Sequence, residues 1–107
     1  MTAYVFTDEA ETDMRGIARY TRKVWGSTQG RRYIAKLKQG IAALVDGSTP
    51  FRDMGRICPG LRMVHCEHHY VFCVVRENEA AVVVAVLHER MDFLARLSVR
   101  LGATSRH

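Results

Sequence analysis

Histidine and cysteine side chains cluster in the second half of the chain, where their types raise the question of a metal site. The cluster consists of Cys58, His65, Cys66, His68, His69 and Cys73. Imidazole nitrogens and thiolates are common zinc ligands, but adjacent residues of a strand point to opposite faces, so His65 and Cys66 cannot reach one ion. No Cys-x-x-Cys unit occurs. The sequence therefore predicts reduced structural thiols, with no bound metal and no other cofactor.

A second set of residues could act on a phosphate. Arg62 opens one predicted strand, and His88 and Arg90 lie at the end of another. Imidazole can transfer a proton near neutral pH, and guanidinium groups stabilise charge on a phosphate. A lone histidine at a strand end is more often structural than a general base. We therefore expect no catalytic residue unless these three side chains converge.

Two amphipathic helices are predicted in the first half of the chain, and the strands that carry these histidine, cysteine and arginine residues must pack against them. Acidic residues crowd positions 8–13, where they suit a helix start, and apolar residues recur at three and four over residues 10–25. The same spacing continues over residues 30–45. Gly26 ends the first helix, and the short connection to Thr28 predicts an antiparallel hairpin. The spacing of apolar residues predicts one continuous buried stripe along the first helix.

The hydrophobic period changes from 3.6 to 2 at Leu61, which indicates strands. We expect strands at residues 2–6, 61–66, 70–77 and 81–88, with an irregular loop over residues 51–60. The last strand is apolar almost throughout, as is typical of a strand covered on both faces. The order β-α-α-β-β-β predicts an α+β fold, in which the helical hairpin packs on a mainly antiparallel sheet.

The tail is predicted to form a short amphipathic C-terminal helix between residues 91 and 101. It could cap the sheet internally, or it could form a surface for a partner, where arginine anchors are favoured. If the tail contacts a partner, Arg62 in the strand at residues 61–66 is predicted to contribute to the same surface. The predicted contact residues are then Arg62, Arg90, Leu94, Arg96, Leu97 and Arg100.

Length and charge limit the classes of protein that remain. The 107 residues form a single predicted domain, 1–107, and the net charge is +5. The amino terminus has no basic segment followed by a long apolar one, so we expect a cytoplasmic protein without a membrane span. The positive charge suits an acidic partner or a polyanion, but no motif for sequence-specific DNA reading is present.

Several segments of the chain, taken in order, resemble the ParE branch of the ParE/RelE toxin superfamily. The similarity covers residues 3 to about 97. The matching segments are Thr7-Asp8-Glu9-Ala10-Glu11-Thr12-Asp13-Met14, Ile17-Ala18-Arg19-Tyr20, Trp25-Gly26, Ala35-Lys36-Leu37, Pro59-Gly60-Leu61-Arg62 and Val86-Leu87-His88-Glu89-Arg90-Met91-Asp92.

This resemblance implies the toxin of a type II toxin–antitoxin pair, bound in a hetero-oligomer by an acidic ParD-like antitoxin. ParE-like toxins poison DNA gyrase, whereas RelE-like relatives cut messenger RNA on the ribosome. The relatives that cut RNA carry several Lys and Arg residues and a Tyr near the carboxyl end, but here Glu89 follows His88. We therefore expect a non-catalytic gyrase inhibitor. A ribosome-dependent endoribonuclease using Arg62, His88 and Arg90 is the alternative, and a non-toxic binding module is the third class.

Overall fold

The computed structural model describes residues 3–104, apart from the side chains of the last two. Within this range, three helices and five strands occur in the order β-α-α-β-β-β-β-α. Their bounds are β1 Tyr4–Phe6, α1 Asp8–Trp25, α2 Ser27–Asp46, β2 Arg52–Asp53, β3 Leu61–Cys66, β4 His69–Val74, β5 Ala81–His88 and α3 Phe93–Thr104. The predicted α+β class, the hairpin and the C-terminal helix are confirmed. The short strand β2, within the predicted loop, was not expected.

Local chemistry sets the bounds of the helical hairpin. Thr7 caps α1 by accepting the N–H of Ala10 at 3.1 Å, and acidic residues fill the first turn. Gly26 separates the helices with φ at 90°, a conformation that favours glycine. The helices then approach closely at Gly30, where an added Cβ would lie 3.1 Å from the backbone nitrogen of Arg22.

The sheet has the order β1-β5-β4-β3-β2. Strand β1 runs parallel to β5, and the other neighbours are antiparallel. Within residues 3–104, only residues 81–83 of β5 pair with β1, so the rest of this eight-residue strand has an open edge on that side. The register between β4 and β5 shifts between Phe72 and Cys73, which places a bulge in this part of the sheet.

Side chains on both faces of the sheet are buried, as the apolar run of β5 predicts. On one face, the hairpin packs through residues such as Leu37 and Ile41. On the other face, Leu97 and Leu101 of α3 pack on the sheet. No helix within residues 3–104 is long and apolar enough to cross a membrane.

The predicted buried stripe of α1 is wrong at its C-terminal end. Val24 is 53% exposed and Trp25 is 38% exposed. The last turn of α1 does not lie over the sheet core, and Trp25 instead packs edge-on against Tyr33 of α2 at 5.4 Å between ring centroids. The helix therefore carries apolar and aromatic side chains at the surface.

Candidate interaction site

A groove of about 460 Å³ runs along the open edge of β5, between α1 and α3. We call it the edge groove. Its lining residues include Asp13, Gly16, Ile17, Tyr20, Trp25, Tyr33, His68, His69, Val86, His88, Met91, Arg96 and Arg100. Tyr20 and Met91 are 62% and 41% exposed, so apolar surface faces solvent here. An exposed apolar groove of this kind is a typical binding surface for another protein.

Side chains, rather than a strand, cover part of this edge. Asp13 accepts the backbone N–H of Val86 at 2.9 Å, and Arg100 donates to the carbonyl of Val84 at 3.0 Å. The two side chains also pair with each other. The hydrogen bond to Asp13 and the negative charge of its carboxylate raise the pKa of Arg100. The sequence favoured helix-dipole stabilisation as the role of Asp13, but the structure places its carboxylate on the sheet edge.

Tyr33, His68 and His69 form a hydrogen-bonded wall at one end of the edge groove. The Tyr33 hydroxyl lies 2.6 Å from Nδ1 of His69 and accepts the N–H of His68 at 3.0 Å. Burial lowers the pKa of His69 to about 4 and raises the pKa of Tyr33. The neutral imidazole of His69 therefore accepts a hydrogen bond from the Tyr33 hydroxyl at Nδ1.

Glu89 joins two exposed histidines next to this wall. Its carboxylate oxygens lie 2.8 Å from Nε2 of His65 and 3.0 Å from Nδ1 of His68. The hydrogen bond with His68, and to a lesser extent the one with His65, lowers the pKa of Glu89. Cys66 points to the other side of β3, where its Sγ lies 3.6 Å from the carbonyl of Lys36. Across the described part of the chain, no group of three or more His, Cys, Asp or Glu side chains is placed to hold a metal.

The three residues that could act on a phosphate do not converge. Arg62 donates to the carbonyls of Leu44 and Val45 at the end of α2, at 3.1 and 3.4 Å, and its guanidinium stacks on Phe51. In the sheet, Arg62 of β3 pairs with Cys73 of β4. Cys73 in turn pairs with Val83, near the start of β5.

His88 lies at the opposite end of the same sheet. It is in register with His69, and its Nδ1 accepts the N–H of Arg90 at 3.1 Å. A site that requires Arg62, His88 and Arg90 around one phosphate is therefore not assembled.

The predicted contact residues of the tail divide between surface and core. Leu94 is 52% exposed, and Arg90 and Arg96 are also exposed. Leu97 is only 1% exposed and packs in the core, so its assignment to a contact surface is wrong. Arg100 lines the edge groove but also holds Asp13, which gives it a structural role that the sequence did not indicate.

Sequence reasoning missed most of the edge groove, although two signals were present. Asp13 lies within the apolar stripe of α1, three residues after Ala10 and four before Ile17, and a charge in such a stripe indicates a buried partner. The predicted first strand is also shorter than the last, which leaves part of a sheet edge open.

Comparison with known proteins agrees with the resemblance seen in the sequence. A family model described as the ParE toxin of the type II toxin–antitoxin system parDE matches residues 4–93. The chain is 63% identical over 101 residues to Toxin ParE of Escherichia coli, which covers 94% of this chain and 98% of that protein. It is 29% identical over 89 residues to Toxin ParE1 of Mycobacterium tuberculosis H37Rv, covering 83% and 91% of the two chains.

A solved structure shows the same fold at low sequence identity. The structure titled "Chromosomal ParDE TA system from P. aeruginosa" matches with a TM-score of 0.65 and 16% identity, covering 82% of this chain and 96% of that one. The match of the family model over most of the chain, together with the 63% identity, assigns the family. The chain belongs to the ParE family of toxins from type II toxin–antitoxin systems.

Proposed function

We propose that the free toxin acts in the cytoplasm by binding and inhibiting DNA gyrase, without catalysing a reaction itself. In the same proposal, an acidic ParD-like antitoxin neutralises the toxin by occupying the edge groove. The observation that carries the proposal is the exposed apolar groove beside an open sheet edge. Sheet edges and apolar grooves both bind extended or helical protein segments.

The charge of the toxin supports an acidic antitoxin. The net charge is +5, and the exposed side chain of Arg96 lines the groove. Opposite charge on the partner would accelerate association and would disfavour cationic competitors. The wall formed by Tyr33, His68 and His69 offers an aromatic surface for an apolar anchor from the partner.

The position of Arg62 supports a toxin that acts by contact. Cleavage of RNA needs a proton acceptor and cations around the same phosphate. Arg62 is bound to the end of α2, away from His88. Helix α3 covers the opposite face of the sheet with apolar side chains, including Leu97. These contacts favour gyrase inhibition over an endoribonuclease of the RelE kind.

Expression and purified-protein assays test the proposal together. We expect growth arrest when the toxin is induced alone, and rescue when the adjacent reading frame is expressed with it. Purified toxin should inhibit DNA supercoiling by gyrase while messenger RNA in arrested cells stays intact. Codon-linked cleavage of messenger RNA on ribosomes, with gyrase unaffected, would assign the alternative activity. Growth without arrest would support the non-toxic binding module.

A further inference from the structure

The outer face of the α1–α2 hairpin carries a strong excess of positive charge. Residues 14–45 contain eight of the sixteen Lys and Arg residues and no Asp or Glu. Arg15 pairs with Glu11, and Lys36 pairs with Glu67. Within residues 3–104, six cations of this segment form no ion pair, namely Arg19, Arg22, Lys23, Arg31, Arg32 and Lys38. Such a surface attracts an anionic partner.

A second groove of about 470 Å³ lies within this cationic face, between the two helices. We call it the hairpin groove, and its lining residues are Ala18, Arg22, Ser27, Gly30, Arg31, Ile34, Ala35 and Lys38. Ala18 and Ile34 are half-buried and supply an apolar floor. Arg22 stands on the α1 side, and Arg31 and Lys38 stand on the α2 side. The groove therefore combines an apolar floor with cations on both walls.

We propose that the hairpin groove binds an acidic amphipathic helix of the toxin's target. A groove between two packed helices accepts the side-chain ridge of a third helix. Arg31 and Lys38 are seven residues apart on α2, which is about 10 Å or two helical turns. A helix of that length can place small apolar side chains on Ala18 and Ile34 and carboxylates beside the cations. This inference rests on the proposed function, since it takes gyrase as the target.

The lining of the hairpin groove favours a protein over a nucleic acid. Phosphates would contact Arg22, Arg31 and Lys38, but they would gain nothing from the apolar floor. None of the described residues that line this groove is aromatic, so bases would find no ring to stack on. The hairpin groove and the edge groove share no lining residue, so substitutions in one can be compared with antitoxin binding at the other.

Charge reversal with a matched control tests this inference. The test variant carries Arg22→Glu, Arg31→Glu and Lys38→Glu. The control carries the same change at Arg52, Arg56 and Arg76, which are exposed elsewhere, so both variants lose the same net charge. A third variant, Ala35→Trp, fills the groove without altering charge. Each variant is measured for inhibition of purified gyrase, antitoxin binding and thermal unfolding.

We expect the test variant to need about tenfold more protein for half-inhibition of gyrase, because three charge pairs become repulsive. The Ala35→Trp variant should also lose inhibition, whereas the control should match the wild-type toxin. All three should unfold near the wild-type temperature. Ala35→Trp should bind antitoxin within about twofold of the wild-type toxin, since Ala35 lies outside the edge groove. The test and control variants should lose antitoxin affinity equally, since both lose the same net charge.

Three results would overturn the inference. If the test variant inhibits gyrase like the wild-type toxin, gyrase inhibition stands and the groove assignment fails. If the wild-type toxin itself does not inhibit gyrase, the proposed function fails, and the inferred partner fails with it. If a 30-base-pair DNA duplex binds the wild-type toxin and Ala35→Trp but not the charge-reversal variant, and Ala35→Trp still inhibits gyrase, the groove binds phosphate instead of an acidic helix.

Discussion

Asp13 and Arg100 meet across the open edge of β5 through two hydrogen bonds, although 87 residues separate them in the sequence. Oδ2 of Asp13 lies 2.6 Å from Nη1 of Arg100, and Oδ1 lies 2.9 Å from Nη2. The same groups bond to the backbone of Val86 and Val84. The pair therefore links α1, β5 and α3 at one point, and it takes the place of strand contacts where β1 has ended.

Removing the arginine from this pair should destabilise the fold. In Arg100→Leu, the Asp13 carboxylate would remain largely buried without its cation, and the carbonyl of Val84 would lose a donor. We expect a loss of about 2–4 kcal/mol in the free energy of unfolding, measured with urea. Arg15→Leu is the matched control, because the exposed pair of Arg15 with Glu11 should contribute less than about 0.5 kcal/mol.

A double substitution measures the interaction between Asp13 and Arg100 apart from the other contacts of each side chain. Asp13→Asn combined with Arg100→Leu should cost less than the sum of the two single changes, since the double variant leaves no unpaired charge. Strictly additive losses would contradict a direct interaction between the two side chains.

Stability should decrease in acid because His69 resists protonation in the folded protein. Its pKa falls from 6.5 to about 4, mainly through burial, so the unfolded chain binds a proton that the folded chain does not. The stabilisation is complete above about pH 6.5, and it is lost as the pH falls to about 4. We expect this histidine to contribute up to about 2 kcal/mol to the loss. Urea unfolding measured between pH 7.5 and pH 4 should show that the unfolding free energy of His69→Gln changes less with pH than that of the wild-type protein. An unchanged pH dependence would contradict the prediction.

Two glycines of the helices should respond to alanine with opposite signs. At Gly40, a Cβ would lie 2.7 Å from Sγ of Cys66, so Gly40→Ala should lower stability by about 1–2 kcal/mol despite its better helix propensity. At Gly16, no described heavy atom beyond its chain neighbours and the nearby backbone of α1 lies within 4 Å of the added Cβ, and Gly16→Ala should raise stability by about 0.5–1 kcal/mol. Adding Cys66→Ala to Gly40→Ala should restore most of the loss in thermal unfolding.

Arg62 should matter for stability and not for a chemical step. In Arg62→Met, the carbonyls of Leu44 and Val45 each lose one donor, and Phe51 loses the stacked guanidinium. We expect a loss of about 1–2 kcal/mol in unfolding free energy, against less than about 0.5 kcal/mol for Arg56→Met at an exposed site. The folded variant should still arrest growth. Complete loss of toxicity without a loss of stability would instead support a role of Arg62 in contacting the target or in catalysis.

Local patterns in the sequence predicted most of the elements. Periodicity places apolar residues on one face of α1 and α2, and Gly26 breaks the chain between them, so the hairpin follows from short-range chemistry. The strands β3 and β5 were predicted with their observed bounds, since turn residues flank both. β2 was missed because its two residues pair only with β3, and no pattern of that length is informative.

The site was harder to predict because it depends on contacts between distant segments. Leu94 and Leu97 have the same chemistry and similar spacing in the tail, yet one is exposed and the other is core. Only the docking of α3 on the sheet separates them. Arg100 likewise looks like an ordinary surface charge in a helix until the ends of β1 and β5 are known, and the apolar stripe around Asp13 does not tell which residue is its partner.

The edge groove leads to a direct prediction for antitoxin binding. Tyr20 and Met91 are exposed on either side of it, and a carboxylate at either position would repel an acidic partner and would remove apolar contact. We expect Tyr20→Glu and Met91→Glu to weaken antitoxin binding by at least about tenfold in calorimetric titration. Ile57→Glu is the control, since Ile57 is 45% exposed and lies outside the groove.

The comparison with Ile57 decides what a loss of affinity means. All three variants change the net charge by the same amount, so an effect of charge alone would weaken binding equally in each. A loss confined to Tyr20→Glu and Met91→Glu would place the antitoxin in the edge groove. Equal losses in all three, or wild-type binding by the groove variants, would place it elsewhere, and neutralisation would then need a different surface of the toxin.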